Sequence, residues 1–204
     1  MTNRSKPKST NSLLAALPAA EYHRLIPHLE RVSTRKGEVL HASNEPAKYV
    51  YFLEHGAASL SVSTEEGKKL QLSIAGNESV VGERAIFKDG LFIIKCSMLT
   101  EGRGHRIAPT VFHKEFGRGG VLHDWVLSRI EARITETAQT ALCNQMHPVE
   151  QRLSRWLLTF ADRLHSEDLP ATQELIGDML GLTRSEISRS AGELSKSDLI
   201  QYSR

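Results

Sequence analysis

The stretch that decides the fold of the C-terminal part is residues 172–197, TQELIGDMLGLTRSEISRSAGELSKS. Thr172 suits the N-terminal cap of a first helix, because its hydroxyl can accept a hydrogen bond from a first-turn backbone amide. Gly181 suits the end of that helix, since the left-handed conformation that closes many helices favours glycine. Thr183 and Glu186 then have the spacing of a capping box for a second helix. The sequence therefore predicts two short helices joined by a glycine turn.

Each predicted helix has one apolar face. The residues expected to be buried are Leu175, Ile176, Met179, Leu180, Leu182, Ile187, Ala191 and Leu194. Gly177 is small enough for another helix to approach closely. This spacing is typical of a helix-turn-helix.

The outward face of the second helix is polar and carries two arginines. An arginine can bind the edge of a guanine with two hydrogen bonds, and serine hydroxyls can reach bases or phosphates. The predicted DNA-contacting residues are Thr172, Thr183, Arg184, Ser185, Ser188 and Arg189. An ordinary helical hairpin with a solvated face is the alternative interpretation. The charge of residues 147–204 favours that alternative, because they hold seven Lys or Arg and nine Asp or Glu.

Residues 30–108 have the pattern of short β-strands. Apolar residues alternate with polar ones over 59–63 and 70–74, and a turn containing Gly67 separates the two runs, which predicts a hairpin with one buried face. Further strands are predicted at 39–41, 49–53, 79–81, 93–99 and 105–107. Many short strands indicate an antiparallel barrel or jelly roll. Short helices are predicted before it, over 13–17 and 21–29.

A long helix is predicted after the strands, because residues 121–146 contain neither proline nor glycine. Its apolar or small residues at alternating spacings of three and four are Leu127, Ile130, Ile134, Thr137 and Ala141. This stripe either packs on its own barrel or pairs with a second copy across a two-fold axis. His147-Pro148 is expected to end the helix and form a hinge. The next helix, over 149–165, is expected to bury Leu153, Trp156, Leu157 and Phe160.

Composition excludes several classes of protein. Hydrophobic residues make up 40% and charged residues 25% of the 204 residues, as in ordinary globular proteins. No apolar run has the roughly 18–20 residues of a membrane span, and the N-terminus lacks a secretory signal. Two cysteines, Cys96 and Cys143, predict a cytoplasmic location rather than a disulfide framework. No nucleophile elbow, phosphate loop or zinc-protease motif occurs, so we expect no enzyme.

Three stretches resemble the CRP/FNR family of bacterial transcription regulators: residues 80–87 (VVGERAIF), 147–153 (HPVEQRL) and 169–200. The resemblance extends from Leu13 to Arg204. It implies an α+β fold with an N-terminal antiparallel jelly roll of the cyclic nucleotide-binding type, a long dimerisation helix and a C-terminal winged helix-turn-helix. It also implies a homodimer that binds a palindromic operator and contacts RNA polymerase.

The resemblance divides the chain into four parts. These are a flexible basic tail (1–11), a sensory domain (12–118), a dimerisation helix (119–146) and a DNA-binding domain (147–204). Residues 199–202 resemble the first strand of the wing, and the returning strand is missing, so the wing is expected to be truncated. The alternative function is a sensor or interaction protein that does not bind DNA and uses the jelly roll as a small-ligand module.

A candidate effector pocket follows from the resemblance, at Gly82, Glu83, Arg84 and Thr137. Family members that bind cyclic AMP hold the ribose with a Gly-Glu pair, which Gly82-Glu83 matches. They hold the cyclic phosphate with an Arg-Ser or Arg-Thr pair, and residues 90–95 (GLFIIK) contain no arginine. A cyclic phosphate would lack its main anchor there. We therefore expect a different small-molecule effector or none, with Arg84 serving another anion or a surface ion pair.

Cofactors of the family are not expected. Residues 1–29 contain no cysteine, which excludes the N-terminal iron–sulfur cluster of the oxygen-sensing branch. The histidines have no spacing diagnostic of haem, and no metal site is predicted. Cys143, near the stripe of the long helix, is expected to be a packed cysteine, with a redox role as the alternative.

Overall fold

The structure is a computed structural model that describes residues 9–87 and 93–202. In these residues eight strands form two four-stranded antiparallel sheets, in the orders β1-β8-β3-β6 and β2-β7-β4-β5. The strands are β1 (Glu30–Thr34), β2 (Val39–His41), β3 (Val50–His55), β4 (Ala58–Ser63), β5 (Lys69–Ala75), β6 (Val80–Val81), β7 (Lys95–Met98) and β8 (Gly102–Ile107). The antiparallel β architecture predicted for the N-terminal part is confirmed.

Two strands depart from the sequence pattern. β1 was not among the predicted strands, because Val32 is its only large apolar residue. β8 begins three residues before the predicted run, since its first half contains Gly102 and Gly104 instead of apolar residues. Gly104 is required there, because a Cβ would lie 2.2 Å from the carbonyl oxygen of Phe52 on β3. The first half of β8 therefore lacks the alternation of apolar and polar residues that identifies a strand, because the neighbouring strand lies too close for larger side chains.

The β4–β5 hairpin forms as predicted, but the expectation of one buried face was wrong. Ser59 and Gln71, on the face predicted to be polar and solvated, are 1% and 5% exposed. The reason is that C-terminal helices cover this face: Ser59 Oγ lies 3.3 Å from Met179 Sδ.

Seven α-helices occur in the described residues. They are α1 (Ser12–Ala16), α2 (Ala19–Leu25), α3 (Pro109–Phe116), α4 (Val121–Met146), α5 (Val149–Leu164), α6 (Gln173–Leu180) and α7 (Arg184–Lys196), with short 3-10 turns at Ile26–His28 and Glu83–Ile86. The long helix α4 is continuous, as predicted. His147 is extended and Pro148 precedes α5, which confirms the predicted break. None of the helices in the described ranges has the length and apolar character that crossing a membrane requires.

The boundary of the predicted tail needs a correction. Residues 1–8, with the basic residues of that tail, lie outside the described residues. Asn11 belongs to the folded domain, because it is 0% exposed. Its side-chain Nδ2 donates to the carbonyl oxygens of Leu53 and Ser79, both at 3.0 Å. Its Oδ1 accepts from the amide of Leu14 and caps α1.

The core consists of several clusters of buried apolar residues, and one of them includes residues of both domains. The N-terminal core lies between one sheet and helices α1–α4, with Phe52, Phe112 and Leu122 fully buried. The C-terminal domain, residues 149–202, has its own core around Trp156, Phe160 and Ile187, with Ile74 and Leu99 of the β domain packed against it.

Candidate DNA-binding and sensory sites

The ends of α6 and α7 are fixed by the residues that the sequence indicated. Thr172 Oγ1 accepts from the Leu175 amide at 3.1 Å, and Gly181 has a φ of +65°. At α7, Thr183 Oγ1 accepts from the Glu186 amide at 3.3 Å, while Glu186 Oε2 accepts from the Thr183 amide at 2.8 Å. Hydrogen bonds from Thr183 hold the pKa of Glu186 below its ordinary value. The predicted capping box is confirmed.

The turn between the helices explains Gly177. A Cβ on this residue would lie 2.8 Å from the carbonyl oxygen of Leu182. The sequence suggested that Gly177 makes room for another helix. In the structure it makes room for the turn between α6 and α7 instead. Leu157, Leu175 and Leu182, expected to be buried, are only partly buried, because they lie at the edge of the C-terminal core.

The exposed face of α7 holds the predicted polar residues. Arg184, Ser185, Ser188 and Arg189 are all exposed. No other described residue forms a hydrogen bond or an ion pair with either guanidinium group. Both arginines lie in the first half of α7, so their charge is available to a partner outside the chain.

The C-terminal domain docks against the N-terminal domain through contacts that sequence reasoning missed. Trp156 Nε1 donates to Gln71 Oε1 at 2.7 Å. Arg163 Nη2 donates to Glu136 Oε1 at 2.6 Å, and Arg163 Nε lies 3.3 Å from Glu78 Oε1. These partners are 27 to 85 residues apart along the chain, and no local pattern in the sequence joins them.

The four predicted effector-pocket residues lie at the end of β6 and on α4. Gly82 has a φ of +92°, and a Cβ there would lie 2.5 Å from His41 Nε2. Glu83 Oε1 lies 2.5 Å from Arg133 Nη1, and these side chains are 17% and 16% exposed. The two atoms form an ion pair without a well-aligned hydrogen bond. Arg133 precedes Thr137 by one helical turn, so α4 brings an unpredicted cation to the predicted pocket.

His41 is a second residue of this region that sequence reasoning missed. Its ring is buried, and its Nε2 has no hydrogen-bond partner among the described residues. Burial, together with the charge of Arg84, lowers the pKa of His41 to about 4. His41 is therefore neutral at physiological pH. Residues 90–92 are part of the segment where other family members have the phosphate-binding arginine, and they lie outside the described residues.

The predicted stripe on α4 is divided between two environments. Ile130 packs partly on the N-terminal core. Leu127 and Ile134 are 44% and 66% exposed. Leu142 and Met146, which the predicted stripe omitted, continue the exposed apolar surface toward the end of the helix. These four side chains therefore form an exposed apolar surface on α4 in the described part of the chain.

The two cysteines are both buried. Burial raises the pKa of the Cys96 thiol to about 12, so it is protonated at physiological pH. Cys143 Sγ accepts from Gln139 Nε2 at 3.3 Å on the same helix. Within residues 9–87 and 93–202, no three His, Cys, Asp or Glu side chains converge as metal ligands.

Comparisons with known proteins identify both domains. The family model of the cyclic nucleotide-binding domain matches residues 31–116. The model of the Crp-like helix-turn-helix domain matches residues 151–204. No curated protein sequence matches the chain.

Solved structures share the whole arrangement. The c-di-GMP responsive global regulator CLP of Xanthomonas campestris is 16% identical, with a TM-score of 0.73 over 92% of this chain and 96% of CLP. A transcriptional regulator of the crp/fnr family from Eubacterium rectale is 16% identical, with a TM-score of 0.77 over 97% and 92%. FixK2 of Bradyrhizobium japonicum is 20% identical, with a TM-score of 0.73 over 86% and 89%. At these identities the likeness shows the fold.

The two matched domains follow one another in the order found in these regulators and together cover most of the chain. The fold of the described residues agrees with both matches. The chain belongs to the CRP/FNR family of DNA-binding transcription regulators.

Proposed function

We propose that this chain acts as a homodimer in which each copy places α7 in the major groove of one half of a palindromic operator. The observation that carries the proposal is the exposure of Arg184 and Arg189, whose guanidinium groups form no hydrogen bond or ion pair with another described residue. A guanidinium matches guanine O6 and N7 with two parallel hydrogen bonds. The first turn of α7 adds backbone amides and the positive end of the helix dipole, which favour a phosphate.

The charge balance of the C-terminal domain argues against a general attraction to DNA. Residues 147–204 contain seven Lys or Arg and nine Asp or Glu. Non-specific affinity grows with the number of phosphates that a protein neutralises, so it is expected to be modest here. The affinity for an operator therefore depends on the few contacts of α7. The roles of Thr172, Thr183, Ser185 and Ser188 are contacts to phosphates or bases beside the arginines.

The exposed apolar side chains of α4 support the dimer. Leu127 and Ile134 gain by burial against a second copy, at about 25 cal/mol for each square ångström of apolar surface removed from water. Two-fold symmetry also places two α7 helices about 34 Å apart, in successive major grooves. Contact with RNA polymerase completes the proposal and rests on family membership.

The dimer is tested by placing charges on the stripe. We expect Leu127→Lys combined with Ile134→Lys to give monomers in light scattering, because desolvated like charges would face each other across the axis. Leu158→Lys is the matched control, since Leu158 is also 66% exposed but lies on α5. A stripe variant that stays dimeric would place the interface elsewhere.

We infer that cyclic AMP is not the effector. The segment 90–95 supplies no arginine for a cyclic phosphate. CLP, which has the same fold, is described as responsive to c-di-GMP, so the fold alone does not select cyclic AMP. Arg84 and Arg133 make the region of Glu83 suitable for another anion.

DNA binding is tested by selecting operators from random duplexes and measuring their affinity by fluorescence anisotropy. Loss of a base-reading arginine in Arg184→Ala or Arg189→Ala should cost about 1–3 kcal/mol on the operator and relax the preference at one position. Arg103→Ala, an exposed arginine on β8, is the control and should bind as the parent does. Added cyclic AMP should leave all affinities unchanged.

Two results would contradict the proposal. If no sequence is enriched at low salt, the chain is better described as a sensor that does not bind DNA. If both arginine variants bind the selected operator as tightly as Arg103→Ala does, α7 is not the recognition helix.

A further inference from the structure

A cavity of about 160 Å³ lies between the two domains, apart from the candidate effector pocket. One wall is the strand segment 71–74 of β5. A second wall is α4, with Thr140 and Asn144, and a third is α5, with Arg152 and Arg155. Side chains of both domains therefore line the same space.

The interior of this cavity has excess positive charge. Three arginines of α5 line it, and Glu136 neutralises one of them, Arg163. Arg155 donates from Nη1 to Thr140 Oγ1 at 3.2 Å and has no carboxylate partner among the described residues. The remaining acid of the lining, Asp162, is exposed.

Arg152 supplies a second uncompensated cation. Its Nη2 donates to the Leu180 carbonyl oxygen at 2.5 Å. Its Nε is buried with no hydrogen-bond partner in the described part of the chain. Glu186 affects it through longer-range electrostatics, without an ion pair. An oxyanion in the cavity would give the buried Nε of Arg152 a hydrogen-bond partner.

We propose that this interdomain cavity binds a small oxyanion, the phosphate or carboxylate group of a metabolite, held by Arg155 and Arg152. Guanidinium groups bind such oxyanions with short, charge-assisted hydrogen bonds. A volume of about 160 Å³ equals on the order of five water molecules, below the roughly 300 Å³ of pockets for drug-sized ligands. The site therefore fits a phosphate ion or a four-carbon dicarboxylate.

Such a ligand would bridge α5 to α4 and β5. It would stabilise the docked position of the C-terminal domain and change the affinity for DNA, because a ligand shifts a conformational equilibrium by its differential affinity for the two states. Only the expected change in DNA affinity rests on the proposed function. Binding itself is measured without DNA, so the two proposals fail separately.

Trp156 lines the cavity and reports its occupancy. The chain has two tryptophans, so Trp125→Phe leaves Trp156 as the single one. In this background we would titrate inorganic phosphate and, separately, succinate at constant ionic strength. We expect a saturable change of Trp156 emission with one of them, which distinguishes a phosphate-bearing from a carboxylate-bearing ligand.

Two variants test the role of Arg155. Arg155→Gln should weaken the binding at least tenfold, and Arg155→Lys, which keeps the charge without the planar fork, should bind with intermediate affinity. Arg103→Gln removes an exposed arginine from β8 and should bind as the parent does. Near-UV circular dichroism verifies that each variant is folded. If Arg155→Gln is not folded, the affinity of Arg155→Lys is compared with that of Arg103→Gln instead.

Either of two results would overturn the proposal. One is equal affinity in the Arg155 variants and in Arg103→Gln, which places the anion elsewhere. The other is the absence of a saturable response to both phosphate and succinate in the Trp125→Phe background.

Discussion

Helices α5 and α7 both carry arginines, and these arginines differ in what they contact. On α5, Arg163 pairs with Glu136 and Glu78, and Arg152 donates to the Leu180 carbonyl oxygen. On α7, Arg184 and Arg189 are exposed and form no hydrogen bond or ion pair with another described residue. Arg163 joins the C-terminal domain to the N-terminal domain and Arg152 joins α5 to α6, whereas the arginines of α7 are available to a polyanion. Local surroundings, and not residue type, separate the arginines that have partners within the chain from those that we propose to contact DNA.

The largest effect on stability is expected at Arg163. Arg163→Met leaves Glu136 and Glu78 without their cation in a site where Arg163 is 22% exposed. Breaking a largely buried ion pair in this way should lower the free energy of unfolding by roughly 2–4 kcal/mol. Urea denaturation measures the change.

Two further variants separate the ion pair from general packing. Arg163→Lys keeps the charge and should lose less stability. Glu136→Gln combined with Arg163→Met should lose less than the sum of the single changes, because the two residues share one interaction. A loss under about 0.5 kcal/mol for Arg163→Met would mean that the α5 arginine is no more structural than those of α7.

A smaller effect is expected where α7 begins. Thr183→Ala removes the hydroxyl that caps the helix and should cost about 1 kcal/mol. Thr183→Ser keeps the hydroxyl and serves as the control. The unfolding free energy of both variants is compared with that of the parent. Equal unfolding free energies of Thr183→Ala and Thr183→Ser would show that the capping box does not stabilise the start of α7, where Arg184 lies.

The smallest effect is expected for Arg184→Ala combined with Arg189→Ala. Exposed side chains without internal partners change stability by about 0.5 kcal/mol or less. Thermal unfolding of this double variant should therefore match that of the parent while operator binding is lost. A clearly lower melting temperature would mean that these arginines stabilise the fold, as Arg163 of α5 is expected to do.

The ends of α6 and α7 were predictable because their signals are local. Thr172, Gly181, Thr183 and Glu186 lie within one turn of the helix ends that they determine. Backbone capping depends on neighbouring residues, so spacing alone is sufficient to identify it. The long helix α4 was predictable for a similar reason, since nothing in residues 121–146 interrupts it.

The contacts between distant elements were not predictable. Gln71 looked like a solvated strand residue, and only the docking of α5 places Trp156 on it. Arg133 had no visible partner in the sequence, although it pairs with Glu83. Asn11 looked like part of a tail because its three backbone acceptors are distant along the chain. Such pairings depend on topology, which composition and periodicity do not specify.

The break at Pro148 separates α5 from α4, so a change of backbone direction there would tilt α5 about its first residue. Its 16 residues span about 24 Å at roughly 1.5 Å per residue. A rotation of about 5° at Pro148 would move the far end of α5 by about 2 Å. Because α7 packs on α5, a small change in the space between α5 and β5 would alter the distance between the two α7 helices of the proposed dimer.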